Sequence, residues 1–251
     1  MQNLNYGVIG NCSTAALISE KGAIEWLCFP EFDSPSVFAA ILDRQKGGHF
    51  GFKVTSDYKV TQSYVPHTNI LSTHFESEEG AFDVVDFMPC YPTSDGKDFY
   101  RPAEIYRYIR WAKGRPRMKV DYRPAPNYAR GKTIYNVTSQ YVETYSSVEN
   151  KDRQYLYSSL DLKKVVNHDE ITLEKDEFFL FSFNEKVIPV DIEREKLEYC
   201  RTLVYWLNWT DHAKRYTRYN EVIERSMLVL KLMTYRNGAV MAAVTTSLPE
   251  T

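Results

Sequence analysis

The chain has 251 residues and carries 31 basic and 33 acidic side chains, so its formal net charge is −2. Hydrophobic residues make up 43% and charged residues 25%, a balance that can bury a core and excludes disorder as the main state. The near-neutral charge excludes a strongly basic nucleic-acid footprint, and no apolar run approaches the roughly 18 residues of a membrane-spanning helix.

Short motifs typical of secreted, metal-binding or nucleotide-binding proteins do not occur in this sequence. The first ten residues lack a basic segment followed by an apolar stretch, so we expect no secretory signal and a cytoplasmic location. The cysteines form no C-x-x-C pair, which favours reduced thiols over a disulfide framework. They are Cys12, Cys28, Cys90 and Cys200. Without G-x-G-x-x-G, P-loop or paired-histidine motifs, we expect no cofactor and no metal.

The first 190 residues are predicted to form many short strands. Apolar and polar residues alternate in them, and turn residues recur at intervals of about ten residues. The clearest alternation runs from Ile105 to Ile109 and places Arg107 on the same face as the two isoleucines. This pattern is typical of an antiparallel β-sandwich. The predicted strands span 15–19, 24–29, 49–54, 58–64, 70–76, 81–88, 104–112, 118–123, 133–137, 140–146, 154–159, 171–173 and 178–183.

One short helix is predicted within this run of strands. Ser34 followed by Pro35 is typical of a helix start, because serine caps the first turn and proline suits its first position. The sequence therefore predicts a helix over 37–42 that ends before the Gly47-Gly48 pair.

Beyond residue 190 the periodicity changes from strand to helix. Apolar residues from Leu197 to Leu207 recur at helical spacing, which predicts an amphipathic helix over 193–214. A second helix is predicted over 219–236, with apolar residues on nearly every side of its second half, and an extended run follows over 239–246. Such a helix needs cover on several faces, so we interpret it as the opening of a further helical domain.

These changes of pattern divide the chain into three predicted segments. We expect a mainly β fold, with a large antiparallel β-sandwich over 1–190. A helical linker is predicted over 191–216, and the start of a helical domain over 217–251.

Two long stretches, one at each end of the chain, match a known pattern. The N-terminal stretch contains YGVIGN at 6–11, TAALIS at 14–19, GAIEWLCFP at 22–30 and FDSPSVFA at 32–39. The C-terminal stretch contains RS at 225–226, LKLMTY at 230–235, GAV at 238–240 and AAVTTSLPE at 242–250. In both stretches the chain resembles bacterial members of glycoside hydrolase family 15, which are glucoamylase-, glucodextranase- and trehalase-like enzymes.

That resemblance implies an architecture and a mechanism. Family members join an N-terminal β super-sandwich through a helical linker to an (α/α)₆ barrel, of which this chain would hold the first helix. They hydrolyse α-glucosides with inversion, using one Glu as general acid and another as general base about 6.5–9.5 Å apart. The resemblance places both glutamates downstream of Thr251, so we expect no catalytic residue here and no activity from this chain alone. The expected partners are its own C-terminal barrel domain and, through that barrel, trehalose or another α-glucoside.

The loop 26–36 is the part of the sandwich with a side-chain set suited to sugar. Trp26 or Phe32 could stack on a sugar ring while Asp33 accepts hydrogen bonds from hydroxyl groups, so these three are the substrate-binding candidates. The alternative is that Trp26 and Phe29 pack the sandwich and Asp33 caps the turn before Ser34 and Pro35.

Two other functions fit the same sequence. A non-catalytic β-sandwich could bind a glucan through surface tyrosines and tryptophans, of which the chain has 19 and 4. A purely structural sandwich could brace the barrel. The apolar second helix favours the enzyme part and the brace together, because a free-standing binding module has no use for it.

Overall fold

Two large antiparallel β-sheets and a pair of long helices, with a small hairpin and one short helix, build the fold in the computed structural model of this chain. The structure describes residues 5–55, 57–149, 151–188 and 190–245. The strands are β1 (Tyr6–Gly10), β2 (Ala15–Ser19), β3 (Ile24–Cys28), β4 (Ser36–Phe38), β5 (His49–Lys53), β6 (Lys59–Tyr64), β7 (Leu71–Ser77), β8 (Gly80–Phe87), β9 (Tyr91–Pro92), β10 (Phe99–Tyr100), β11 (Glu104–Gly114), β12 (Arg117–Arg123), β13 (Thr133–Val137), β14 (Val142–Ser146), β15 (Gln154–Ser158), β16 (Glu170–Thr172) and β17 (Glu177–Phe183). The helices are α1 (Leu162–Asn167), α2 (Ile192–Asp211) and α3 (Asn220–Leu232).

The strands form two large sheets and one small hairpin. The first sheet has seven strands in the order β1-β2-β3-β5-β12-β16, with β4 paired to β3. The second has eight strands in the order β13-β14-β15-β17-β11-β8-β7-β6, and β9 pairs with β10 separately. Neighbouring strands of these sheets run antiparallel, so the predicted mainly β, antiparallel fold is confirmed.

The space between the two sheets holds the main apolar core. Phe38 and Phe50 enter it from the first sheet, and Phe179 and Phe181 enter it from the second. The ring centroids of Phe50 and Phe179 lie 5.3 Å apart, and those of Phe38 and Phe181 lie 5.5 Å apart. Full burial of one such side chain contributes about 1.5–3 kcal/mol, so the facing rings hold the two sheets together.

A second apolar layer lies on the opposite face of the eight-stranded sheet. Phe87 of β8 stacks on Tyr106 of β11, with their ring centroids 5.2 Å apart. Trp206 of α2 and Leu232 of α3 are buried in the same cluster. The two helices therefore fold back onto this sheet and form a third layer.

Helix α2 begins at a capping residue. The side chain of Asp191 accepts a hydrogen bond from the backbone N–H of Arg194 at 2.8 Å, which satisfies a donor that the first helical turn leaves open. An acidic residue in the first turn, Glu193, suits the positive end of the helix dipole. The predicted helix over 193–214 is present with slightly different ends.

Helix α3 is shorter than the predicted 219–236. It ends at Leu232. The chain then turns at Gly238, which has a φ of 86°, a conformation that glycine adopts without strain. After this turn, Val240 pairs with Thr234. The end of the predicted extended run, at Thr246, lies outside the described residues. In the part of the chain that the structure describes, no helix combines the length and apolarity needed to cross a membrane.

The predicted short helix over 37–42 is wrong. Residues Ser36–Phe38 form β4 instead and pair with β3. Val37 and Phe38 are almost fully buried between the sheets, and the carbonyl of Val37 accepts a hydrogen bond from Ala125. Burial of two apolar side chains in a sheet outweighs the local capping preference of Ser34, because tertiary packing routinely overrides local helix propensity.

Candidate functional site

A large concave surface in the described residues lies between helix α2 and the β9–β10 hairpin. This groove has a volume of about 1370 Å³. Its lining includes the aromatic residues Tyr91, Phe99, Tyr100, Tyr205 and Trp209 together with the charged residues Arg194, Glu198 and Arg201. Large, partly apolar pockets with a few convergent polar groups are the usual binding sites of proteins, so this groove is the candidate functional site.

The hairpin that forms one wall of the groove depends on its turn. Asp95 and Gly96 lie between β9 and β10, and Gly96 has a φ of 66°, a conformation that glycine adopts without strain. The backbone N–H of Gly96 donates to the carbonyl of Thr93 at 2.9 Å. An Asp-Gly pair between aromatic residues is a hairpin signal, and it could have identified this wall from the sequence.

A hydrogen-bonded trio connects the hairpin to α2. The hydroxyl of Tyr91 donates to Glu198 Oε2 at 2.7 Å. Arg201 Nη1 lies 3.4 Å from Glu198 Oε1 and 3.3 Å from the Tyr91 hydroxyl. Burial, together with the hydrogen bond to Glu198, raises the pKa of Tyr91, so its hydroxyl stays protonated and remains a donor.

Aromatic faces surround this trio. The Tyr91 and Tyr100 ring centroids lie 5.1 Å apart, and burial raises the pKa of Tyr100 to about 12. Phe99, which is 40% exposed, meets Tyr205 edge to face at 5.9 Å. Aromatic rings beside a carboxylate and a guanidinium can stack on a polyol ring and exchange hydrogen bonds with its hydroxyl groups.

A second acidic residue of α2 lies under the helix rather than in the groove. Glu195 is 1% exposed, and neither carboxyl oxygen has a hydrogen-bond partner among the described residues. Burial, with the nearby carboxylates of Asp86 and Glu198, raises its pKa well above the ordinary value. A raised pKa suits a general acid, but Glu195 does not line the groove and cannot reach a ligand there.

The sequence-predicted site residues lie away from this groove. Trp26 is fully buried, and its indole N–H donates to the carbonyl of Val244 at 2.9 Å. Phe32 is 2% exposed and belongs to the apolar cluster under the helices, whereas Asp33 is exposed. Both rings are buried in this chain, and substrate contact of Trp26, Phe32 and Asp33 stays a prediction.

The same loop contacts the chain that follows α3. Glu31 pairs with Arg236, with Oε1 and Nη2 3.1 Å apart. Together with the Trp26–Val244 hydrogen bond, this pair ties the first sheet to the segment after α3. The arrangement of this loop suits a bracing function.

The described residues show no metal site. Within 5–55, 57–149, 151–188 and 190–245, no three His, Cys, Asp or Glu side chains are grouped so that they could hold a metal ion.

Glu198 and Arg201 were not identified from the sequence, because their apolar neighbours dominate the helical pattern and their partner Tyr91 is distant along the chain.

Comparison with known families gives one match that covers most of the sandwich. The family described as "Trehalase-like, N-terminal" matches residues 5–150.

Proteins of archaea and bacteria that are named trehalases are similar to this chain, two of them over most of its length and one over a third of it. The trehalase of Thermoplasma acidophilum is 31% identical in an alignment of 244 positions that covers 93% of this chain and 41% of that protein. The trehalase of Mycolicibacterium smegmatis is 28% identical in an alignment of 278 positions that covers 98% of this chain and 40% of that protein. Trehalase 1 of Sulfolobus acidocaldarius is 51% identical over 85 residues, which are 33% of this chain and 14% of that protein. The chain thus spans about two fifths of the length of the first two relatives.

Proposed function

Because the chain belongs to the trehalase-like N-terminal family, we propose that it forms the N-terminal part of a glycoside hydrolase of trehalase type. The observation that carries this proposal is the similarity to a trehalase over 93% of the chain. In finer terms, we propose that the parent is an inverting enzyme of glycoside hydrolase family 15 that acts on trehalose or a related α-glucoside. Its two catalytic glutamates would then lie beyond Thr251, in a helical barrel.

In that parent, we propose that this chain supplies a brace and a helical arm. The outward face of α2 carries Leu197 and Val204, which are 48% and 63% exposed. On α3, Val222 and Leu230 are 66% and 57% exposed. Apolar stripes of this kind gain stability when another element covers them, so they suit contact with barrel helices. The boundaries near residues 190 and 216 separate sandwich, linker and barrel start in this proposal.

A hydrolysis assay tests the proposal. The 251-residue chain and the full-length parent are each incubated with trehalose, maltose, isomaltose and soluble starch, and proton NMR identifies the anomers as they form. We expect no glucose from the chain alone. From the parent we expect equal amounts of α- and β-glucose from trehalose, because inversion acts at one of its two anomeric carbons.

Three results of this assay would contradict parts of the proposal. Hydrolysis by the 251-residue chain would place the catalytic carboxylates within it. Release of α-glucose alone from trehalose would indicate retention instead of inversion. A parent that hydrolyses none of the four glucosides would remove the enzymatic proposal.

The loop candidate is tested in the parent as well. If Asp33 accepts hydrogen bonds from substrate hydroxyls, Asp33→Ala raises KM for the sugar and leaves kcat unchanged, with Asp43→Ala as an exposed control. An unchanged KM assigns Asp33 to the surface of the brace.

The groove supports a second candidate function, which is non-catalytic glycan binding by the chain itself. We expect soluble starch to retard the chain in native gels. Phe99→Ala should weaken that retardation by up to about tenfold, since an aromatic stacking contact contributes about 0.5–1.5 kcal/mol. Tyr219→Ala, which removes an aromatic ring that is 79% exposed outside the groove, serves as the matched control. Equal retardation of the two variants would remove this candidate.

A further inference from the structure

The residues of α2 that line the groove form a stripe along one face of the helix. They recur every three or four residues, from Arg194 near the start of the helix to the capping residue His212. Because an α-helix rises about 1.5 Å per residue, the stripe is about 27 Å long. A ligand that fills the groove from end to end is therefore an elongated molecule.

Basic side chains outnumber acidic ones in the groove. Arg194, Arg201 and Lys214 line it, whereas Glu198 is the one carboxylate among the described residues of its lining. Glu198 accepts a hydrogen bond from the Tyr91 hydroxyl at 2.7 Å and pairs with Arg201 at 3.4 Å. The groove therefore keeps an excess of positive charge.

Two of these cations have no acidic partner in the part of the chain that the structure describes. Arg194 is partly buried, and its Nε donates to the Tyr106 hydroxyl at 3.2 Å, which holds the side chain in place. The ion pairs of α2 and the residues after it use other basic side chains, which are Lys196, Arg201 and Arg215. The charges of Arg194 and Lys214 are thus available to an anionic ligand.

Aromatic rings lie between the cations along the stripe. Tyr205 and Trp209 follow Arg201 by one and two helical turns. The ring of Tyr205 meets Phe99 of the hairpin edge to face, with the centroids 5.9 Å apart. Lys214 lies beyond these rings, past the end of α2. Cations and rings therefore alternate along the groove.

We propose that the groove binds a linear acidic glycan, a chain of sugar units that carry carboxylates, lengthwise along α2. This inference rests on the glycan-binding function proposed for the groove, and it names the class of glycan. Carboxylates pair with Arg194 and Lys214, and the sugar rings between them stack on Phe99 and Trp209. A neutral glucan offers the same rings but leaves both cations without a partner.

Isothermal titration calorimetry of the purified 251-residue chain tests the class of ligand. The probes are a long oligogalacturonate, its methyl ester, which keeps the sugar chain without the charges, and a digalacturonate, which is too short to reach both cations. Since an exposed ion pair contributes about two- to fivefold in affinity, we expect the long acid to bind at least about fourfold more tightly than the ester. The digalacturonate should bind more weakly than the long acid.

Salt should affect the acid alone. The Debye length falls from about 10 Å at 0.1 M to about 3 Å at 1 M ionic strength, so the advantage of the acid over the ester should disappear across this range. Binding of the methyl ester, which depends on stacking, should stay nearly constant.

Variants locate the charges that matter. Arg194→Gln and Lys214→Gln should each weaken binding of the long acid about two- to fivefold and leave binding of the ester unchanged. Lys196→Gln and Arg215→Gln are the matched controls, because each removes one positive charge close by but outside the groove lining, and both should bind like the unsubstituted chain. Phe99→Ala should weaken binding of acid and ester alike.

The comparison of acid and ester on the unsubstituted chain decides the proposal even if a variant fails to fold. Equal affinity for the two, with both weakened by Phe99→Ala, would overturn the acidic class and leave the glycan-binding function in place. No binding of the acid, the ester or soluble starch would remove that function as well. Equal losses in the four charge variants, or binding of poly-L-glutamate as tight as that of the acid, would indicate attraction by charge alone and would also overturn the proposal.

Discussion

Glu195 is a carboxylic acid buried under α2, and its oxygens have no hydrogen-bond partner in the described part of the chain. Burial raises its pKa, so the folded protein keeps the proton at pH values where the unfolded chain has released it. The unfolded state then binds fewer protons than the folded state, and the free energy of unfolding falls as pH rises. This loss begins near the ordinary glutamate pKa of about 4.3 and continues up to the raised pKa of the folded state.

Glu195→Gln should remove this pH dependence. Each unit between the folded and unfolded pKa values contributes about 1.4 kcal/mol, so the slope between weakly acidic and neutral pH becomes shallower in the variant. Urea denaturation at several pH values measures this slope. Glu193→Gln, on the exposed side of the same helical turn, is the matched control and should keep the slope of the unsubstituted chain. Parallel slopes for both variants would contradict a raised pKa at Glu195.

The side of α2 that faces the sheet carries both polar and apolar residues, whereas the side that faces solvent carries an apolar stripe. Its buried residues are Glu195, Glu198, Thr202, Trp206 and Thr210, and only Trp206 among them is a large apolar residue. The stripe from Leu197 to Leu207 points outward instead. A helix with this polarity gains little from its apolar stripe in the chain alone, so the stripe is available to a partner element.

Substitutions on the two faces of α2 should therefore differ in their effect on the free energy of unfolding. Leu207→Ser should change the free energy of unfolding by less than about 0.5 kcal/mol and lower the fluorescence of a dye that binds apolar surface. Trp206→Ala, one residue away, should cost about 3–5 kcal/mol because it opens a cavity in the layer under the helix. Chemical denaturation of both variants provides the comparison. A large loss from Leu207→Ser would show that the stripe is covered within this chain.

The two sheets are joined by a buried arginine, Arg107, as well as by aromatic rings. Arg107 of β11 binds Asp86 of β8 through Nε and Nη2, at 2.7 and 3.1 Å. Its guanidinium also donates to the carbonyls of Phe50 and Gly22, which belong to the opposite sheet and its hairpin turn. One side chain thereby satisfies polar groups of both sheets across the core.

Arg107→Met should destabilise the whole sandwich. The variant leaves Asp86 buried without its cation, which typically costs about 3–5 kcal/mol, and adding Asp86→Leu should recover part of that loss. The same two strands supply a matched control. Arg110, three residues after Arg107 on β11, pairs with Asp83 of β8 but is 54% exposed. Arg110→Met should cost about 0–1 kcal/mol. Urea denaturation measures all three variants, and equal losses at positions 107 and 110 would contradict the sheet-joining role.

The sequence predicted strand content well and contacts between distant segments poorly. The alternation around Arg107 is visible locally, because successive side chains of a strand point to opposite faces of the sheet. The burial of both faces of this stretch is not visible from that alternation. The false helix after Ser34 shows the limit, since the capping signal is local and the pairing of β4 with β3 is not. The groove depends on Tyr91 meeting Glu198, a separation of 107 residues that no local pattern reports. Likewise, the apolar spacing in α2 predicted a helix but could not tell which side the sheet would cover.

The hydrogen bond between Trp26 and Val244 also has a consequence for the order of folding during synthesis. Its partners are 218 residues apart in the sequence. Ribosomes add about 5–20 residues per second, so the acceptor carbonyl is synthesised on the order of ten seconds or more after the indole N–H. The first three strands can pair with one another during that interval. Their contact with the segment after α3 forms only when that segment emerges from the ribosome. The earliest part of the chain to be made is therefore among the last to reach its final contacts.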